Sequence, residues 1–153
     1  MRNFFAAAVL ICAAIFICGC GSDKSDTTAP KPAQNKIDLS KTKDGTYTVE
    51  SSLDEKLGKS VLTLTIKDKK ITAAEFTGYD LFGNAKDEEY GSLTGKDSAD
   101  YKKAQVAVKA IKTYPQQLVE TQDLSKVDAI SGASISYSQF VETTTTALNE
   151  ATK

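Results

Sequence analysis

Apolar residues are spread along this chain in three ways. Over residues 4–17 they form one unbroken run. Over residues 46–78 they alternate with polar residues, the period of half-buried strands. From Ser98 to Glu150 they recur every three or four residues, the period of amphipathic helices. Residues 21–43, between the first two regions, are almost free of apolar side chains before Ile37 and Leu39.

The alternating region predicts three strands. Asp44-Gly45 is a turn signal, and residues 46–50 read as the first strand. Residues 60–67 read as the second, with Leu62, Leu64 and Ile66 on an apolar face. Asp68-Lys69-Lys70 is a tight polar connection, and residues 71–78 complete a hairpin. Strict alternation there sets Ile71, Ala73, Glu75 and Thr77 against Thr72, Ala74 and Phe76. Residues 79–97 have no period; they hold Tyr79, Phe82, Tyr90, three glycines and the acidic run Asp87-Glu88-Glu89. Such a loop is either a surface excursion pinned by its aromatics or a loop that faces a ligand.

Ser98 is placed to cap a helix reaching about Thr113, with Tyr101, Ala104, Val108 and Ile111 on one stripe. Tyr114-Pro115 is expected to break it, with Pro115 opening a new turn over residues 116–120. Residues 126–130 read as a short strand or extended piece. The last helix is expected from Ser134 or Ser136 to Glu150, with Tyr137, Phe140, Val141, Thr144, Leu148 and Ala151 on one face. Residues 143–146 are poor helix formers, so packing must hold them. Strands first and helices after predict one α+β domain over residues 44–153: a small antiparallel sheet with helices packed on one face.

The start of the chain reads as an address. Met1-Arg2-Asn3 is a short basic opening, and the apolar run behind it is too short for a comfortable membrane span. Ile17-Cys18-Gly19-Cys20 resembles a bacterial lipobox. The resemblance implies a signal peptide over residues 1–19, lipidation of Cys20, and a flexible tether over residues 20–43. It places the protein on the cell membrane, facing the extracytoplasmic side. A cleaved signal with a spare cysteine is the plainer alternative.

Composition narrows the chemistry. The 19 basic residues nearly balance the 20 acidic ones, which argues against a nucleic-acid partner. There is no His, and all three cysteines lie in the first twenty residues. The rest of the chain therefore has no thiolate or imidazole metal ligand and no Ser-His-Asp or Cys-His machinery. Redox chemistry here requires an organic cofactor. The sole arginine is Arg2, so the domain has no bidentate guanidinium for a phosphate.

One stretch of small residues, Asp128-Ala129-Ile130-Ser131-Gly132-Ala133-Ser134, lies where an extended piece meets the last helix. A helix start offers free N–H groups and partial positive charge, a natural phosphate site. Gly132 allows a sharp turn and, with Ala133, close approach of another group. Ser134 has no base to activate it as a catalytic serine. It is either an acceptor modified by another enzyme, a phosphate contact or a cap. Ser136 with Gln139 matches a capping box, and Ser131 or Ser134 would serve as simple caps.

That stretch resembles the flavinylation motif of FMN-binding domains, as in the C subunit of the sodium-translocating NADH:quinone reductase, the G subunit of the Rnf complex and extracytoplasmic flavin lipoproteins. Asp44-Gly45-Thr46-Tyr47, Asp68-Lys69-Lys70-Ile71-Thr72 and Val119-Glu120-Thr121-Gln122 also look like this family. The resemblance implies that a separate FAD-dependent, Mg²⁺-requiring FMN transferase places FMN on Ser134 as a phosphoester. Gly132 and Ala133 then give access, Asp128 positions the acceptor, and Ser131 belongs to the same site. The acceptor is serine where threonine is more usual, which leaves noncovalent FMN open. Tyr79, Phe82, Tyr90 and Tyr137 are candidates to face the flavin ring.

The implied function is electron transfer between a membrane donor and an extracytoplasmic acceptor, with no catalytic residue and no metal in the domain. A flavin-bearing reductase component and a noncovalent ligand-binding surface lipoprotein are the alternatives.

Overall fold

The computed structural model describes residues 38–153. Cys20, the signal and most of the tether expected from sequence lie outside the described residues. Within them, order begins before Asp44. A 3-10 turn at Leu39–Lys41 is capped by Asp38, Thr42 is buried, and the Lys43 N–H donates to the Ala151 carbonyl at 2.7 Å.

Three strands, β1 (Gly45–Glu50), β2 (Lys59–Lys67) and β3 (Lys70–Tyr79), form one antiparallel sheet in the order β1-β2-β3. Two helices, α1 (Ala99–Thr121) and α2 (Ser134–Ala151), follow. α1 lies against β3, and α2 crosses β1 and β2. The fold is the expected α+β arrangement. Leu62, Leu64 and Ile66 alternate inward and are buried under the helices. The other face carries threonines in cross-strand pairs, Thr48 with Thr63 at 3.2 Å and Thr46 with Thr65 at 3.4 Å.

The β2–β3 hairpin turns on Asp68 and Lys69, both at positive φ, as a two-residue hairpin loop requires. The incoming chain holds this turn. Asp44 Oδ2 accepts the Asp68 N–H at 3.1 Å, and Lys69 Nζ donates to the Thr42 carbonyl. Just beyond the turn the alternation fails. Ile66 pairs with Ile71 but Thr65 pairs with Ala73, so Thr72 is an extra residue. This bulge turns both Ile71 and Phe76 towards the helices, where strict alternation sets them on opposite faces.

Gln122 anchors the bulged segment. It ends α1 in the left-handed conformation, φ 57°. Its side-chain amide accepts from the Ile71 N–H at 2.8 Å and donates to the Ile71 carbonyl at 2.8 Å. The amide therefore acts as one residue of a missing fourth strand along the edge of β3. Gln122→Ala leaves both Ile71 groups unpaired and is expected to destabilise the domain by about 1–3 kcal/mol, measured by urea unfolding.

Ser98 caps α1 as expected, its hydroxyl accepting the Tyr101 N–H at 3.0 Å. Pro115, however, does not break the helix; α1 runs through it to Thr121. The loss of one backbone hydrogen bond is offset by packing: Ile111, Tyr114, Pro115 and Leu118 are all buried along this stretch. The capping box at Ser136 does not form either, because Ser136 lies inside α2. Gln139 instead reaches across the core. It accepts from Ser60 Oγ at 2.7 Å and donates to the Gly58 carbonyl at 2.9 Å.

The centre of the core is aromatic. Phe140 stands edge-on to Phe76 at 5.1 Å, and its centroid lies 5.5 Å from that of Tyr114. The threonine run of α2 is held by burial, as its propensity requires: Thr143 and Thr144 are enclosed, and Thr143 Oγ1 donates back to the Gln139 carbonyl at 2.8 Å.

Candidate functional site

Helix α1 acts as a rail for the segment that precedes α2. After a 3-10 turn at Leu124–Lys126 the chain becomes extended, with Val127 at φ −81° and ψ 118°. The Asp128 N–H donates to Gln117 Oε1 at 3.2 Å, and the Ile130 N–H to the Tyr114 hydroxyl at 3.2 Å. Gly132, at φ 85°, passes Val106 closely; a Cβ there would lie 3.4 Å from Val106 Cγ1. The contacts climb α1 from Gln117 through Tyr114 to Val106, so the strip from Asp128 to Gly132 lies along the helix. Of the two readings for residues 126–130, the extended piece is the one observed.

The rail presents some motif residues and hides others. Asp128, Ser131, Gly132 and Ser134 are exposed, whereas Ala133 is buried against the core. Ala133 is therefore small because its methyl group faces inward. Asp128 sits at the level of Gln117 and Gly132 at the level of Val106, so the strip separates Asp128 from the Ser134 hydroxyl. The chain brings Ser131, Gly132, Ala133 and Ser134 together at the helix start and leaves Asp128 further down the rail.

The start of α2 is uncapped. The residue at the cap position is Ala133, with no side-chain hydrogen bond. Neither Ser131 nor Ser134 serves as a cap. The Ala133 N–H closes the turn onto the Ile130 carbonyl at 3.0 Å, but those of Ser134, Ile135 and Ser136 meet no acceptor among the described residues. Three free donors, the partial positive charge of a helix start and an exposed hydroxyl converge there. That donor set fits a phosphate ester.

The aperiodic loop after β3 is ordered by polar contacts. Asp80 accepts the N–H groups of Phe82 and Asn84, both at 2.8 Å, and the Asn84 side-chain amide at 3.0 Å. The Asn84 amide, then the backbone donors, hold its carboxyl below the usual range. Further on, Tyr101 donates to the Glu88 carbonyl at 2.8 Å and Gln105 to the Tyr90 carbonyl at 3.0 Å. The aromatics are not its pins: Phe82 is 90% exposed, and Tyr79 and Tyr90 are half-buried. Tyr137 is not free to face a ligand. It is buried, donates to the Val127 carbonyl at 3.1 Å and packs edge-on against Tyr114.

Two features of this end of the molecule have no signal in the sequence. Gln139 reads as a cap residue, and its partners Ser60 and Gly58 lie far away in the chain. Lys86 reads as one more solvated charge of a polar loop, yet it is buried. Among the described residues no cluster of His, Cys, Asp or Glu is arranged to hold a metal ion.

A three-stranded antiparallel sheet under two helices, with an uncapped helix start beside an exposed serine, defines a small α+β domain whose helix start can hold an anionic ligand. The family model for the FMN-binding domain matches residues 56–149, and the chain belongs to that family. It is a flavin-binding protein, and its cofactor is FMN. Among solved structures it is similar to the CPE2226 protein from Clostridium perfringens, at 27% identity and a TM-score of 0.57, over 72% of this chain and 88% of that one. No curated protein matches it.

Proposed function

We propose that this protein is a membrane-tethered, extracytoplasmic electron carrier whose FMN is joined through its phosphate to Ser134. The observation that carries the proposal is the uncapped start of α2, where the exposed Ser134 hydroxyl stands beside three free N–H donors. A separate transferase with FAD and Mg²⁺ makes the bond. Ser134 Oγ attacks the flavin-side phosphorus of FAD, the pyrophosphate bond breaks, AMP leaves, and the serine proton passes to the transferase. The N–H groups of Ser134, Ile135 and Ser136 then hold the phosphate oxygens. Asp128, set apart on the rail, offers its carboxylate to the transferase.

Bound FMN supplies one- and two-electron redox chemistry, which no side chain of the described domain provides. Covalent attachment replaces the guanidinium clamp that the domain lacks. The lipobox-like Ile17-Cys18-Gly19-Cys20 supports a lipid anchor at Cys20, an electron donor in the membrane and an acceptor outside it. The serine in place of the more usual threonine supports a second reading, with FMN held noncovalently at the same helix start.

The test is intact mass after co-expression with the transferase. The unsubstituted chain should gain one FMN less water, and Ser134→Ala should gain nothing. Because Ser134 caps nothing, the variant should keep its melting temperature. A yellow protein that releases its flavin on unfolding establishes the noncovalent reading, and a colourless, unmodified one overturns both.

A further inference from the structure

Lys86 is a buried lysine that forms no close ion pair among the described residues. Only 7% of it is exposed. Its stem fits beside Gly78, where a Cβ would lie 3.1 Å from Lys86 Cδ and 2.7 Å from Ile111 Cδ1. Its ammonium stands 5.5 Å from the centroid of the Tyr90 ring. Asp54 and Asp80 act on it electrostatically, but among the described residues it forms no ion pair within 4.0 Å. Both carboxylates are engaged elsewhere: Asp54 accepts the N–H groups of Lys56 and Leu57, and Asp80 those of Phe82 and Asn84. The ammonium has no hydrogen-bond acceptor among the described residues. It is not sealed off, because the one enclosed and unbonded side-chain atom among them is Thr144 Oγ1. Burial holds this ammonium below the usual lysine range.

Such an arrangement costs stability, since a desolvated charge is normally compensated by a partner. Asp54, Asp80 and the Tyr90 face offset that cost only in part, since burial still outweighs them. The location offers a reason. The Lys86 N–H donates to the Gly78 carbonyl at 2.8 Å, Gly78 pairs with Ser60, and Ser60 Oγ donates to Gln139 Oε1 at 2.7 Å. Gln139 lies in the second turn of α2, which begins at Ser134. Lys86 therefore sits at the same end of the domain as the uncapped helix start.

We propose that Lys86 is a cofactor-binding residue whose ammonium contacts the electron-rich pyrimidine edge of the flavin ring and stabilises the negative charge that reduction places there. This rests on attachment of FMN at Ser134. The chemistry that bound FMN would supply is the uptake of two electrons, from dithionite in the test below, and of one proton from water, which leaves one negative charge on that edge. Lys86 meets that charge with three donors, and the Tyr90 face keeps the ammonium in place. A fixed positive charge at that position raises the reduction potential.

The test is Lys86→Met, which keeps the stem and removes the charge. In protein whose mass shows one FMN, the midpoint potential from a dithionite titration should move to a more negative value. In flavin-free protein, the melting temperature should equal or exceed that of the unsubstituted chain, because a buried charge that its neighbours offset only in part has been removed. An unmoved potential in the loaded variant overturns the proposal while attachment at Ser134 stands. A lowered melting temperature of the flavin-free variant assigns Lys86 a structural role and also overturns it. If the unsubstituted chain gains no FMN mass, attachment at Ser134 fails and this proposal fails with it.

Discussion

Gly58→Ala is expected to destabilise the domain by about 3 kcal/mol or more, a large share of the roughly 5–15 kcal/mol that holds such a domain together. Two effects combine. Gly58 has φ 82°, a conformation that costs any residue with a Cβ. A Cβ would also stand 2.2 Å from the Tyr79 carbonyl oxygen and 2.7 Å from the Asp80 carbonyl carbon. Both obstacles are backbone. Tyr79 is paired to Lys59 at the sheet end, so it has little freedom to retreat. Gly58 is fixed from the other side by its reciprocal hydrogen bonds with Asp54, each 2.9 Å, and by Gln139. Urea unfolding of the substituted chain measures the cost, and a loss below about 1 kcal/mol would contradict this close approach.

The second large effect is at Phe140. Phe140→Ala should cost about 3–5 kcal/mol. The ring is 0% exposed and touches Phe76 and Tyr114, which belong to the sheet and to α1. Its removal opens a cavity where three elements meet, and none can close it without leaving the others. Phe140→Leu should cost clearly less, because most of the volume is kept. The midpoint of urea unfolding should fall for both while the slope stays constant. A changed slope would mean that the cavity had loosened the native state instead.

These two positions show what is legible in the sequence. Phe140 falls on a helical stripe, and its burial follows from period alone. So do the inward Leu62, Leu64 and Ile66 and the hairpin at Asp68. The bulge at Thr72 does not, because it depends on Gln122, a residue more than forty positions away that grips Ile71. Pro115 misleads for a related reason: its local cost is real, but the burial of Tyr114 and Leu118 outweighs it. At the site, the Ser-Gly-Ala-Ser turn is visible as a motif and the N–H groups that surround it follow from any helix start. Its lack of a cap is not visible, because Ser131, Ser134 and Ser136 all satisfy the local rule and none performs it. Lys86 is hidden by its polar surroundings in sequence, which say nothing of Gly78 and Ile111 folding over its stem.

The hydrogen bond from Lys43 to Ala151 fixes the pole at which the described chain enters the domain. α2 is 18 residues long, about 27 Å from Ser134 at one end to Ala151 at the other. The chain arrives beside Ala151. The described chain therefore enters at one pole of the domain, and Ser134 occupies the other. A macromolecule that reaches Ser134 along the axis of α2 thus meets the end of the domain farthest from the point where the described chain enters.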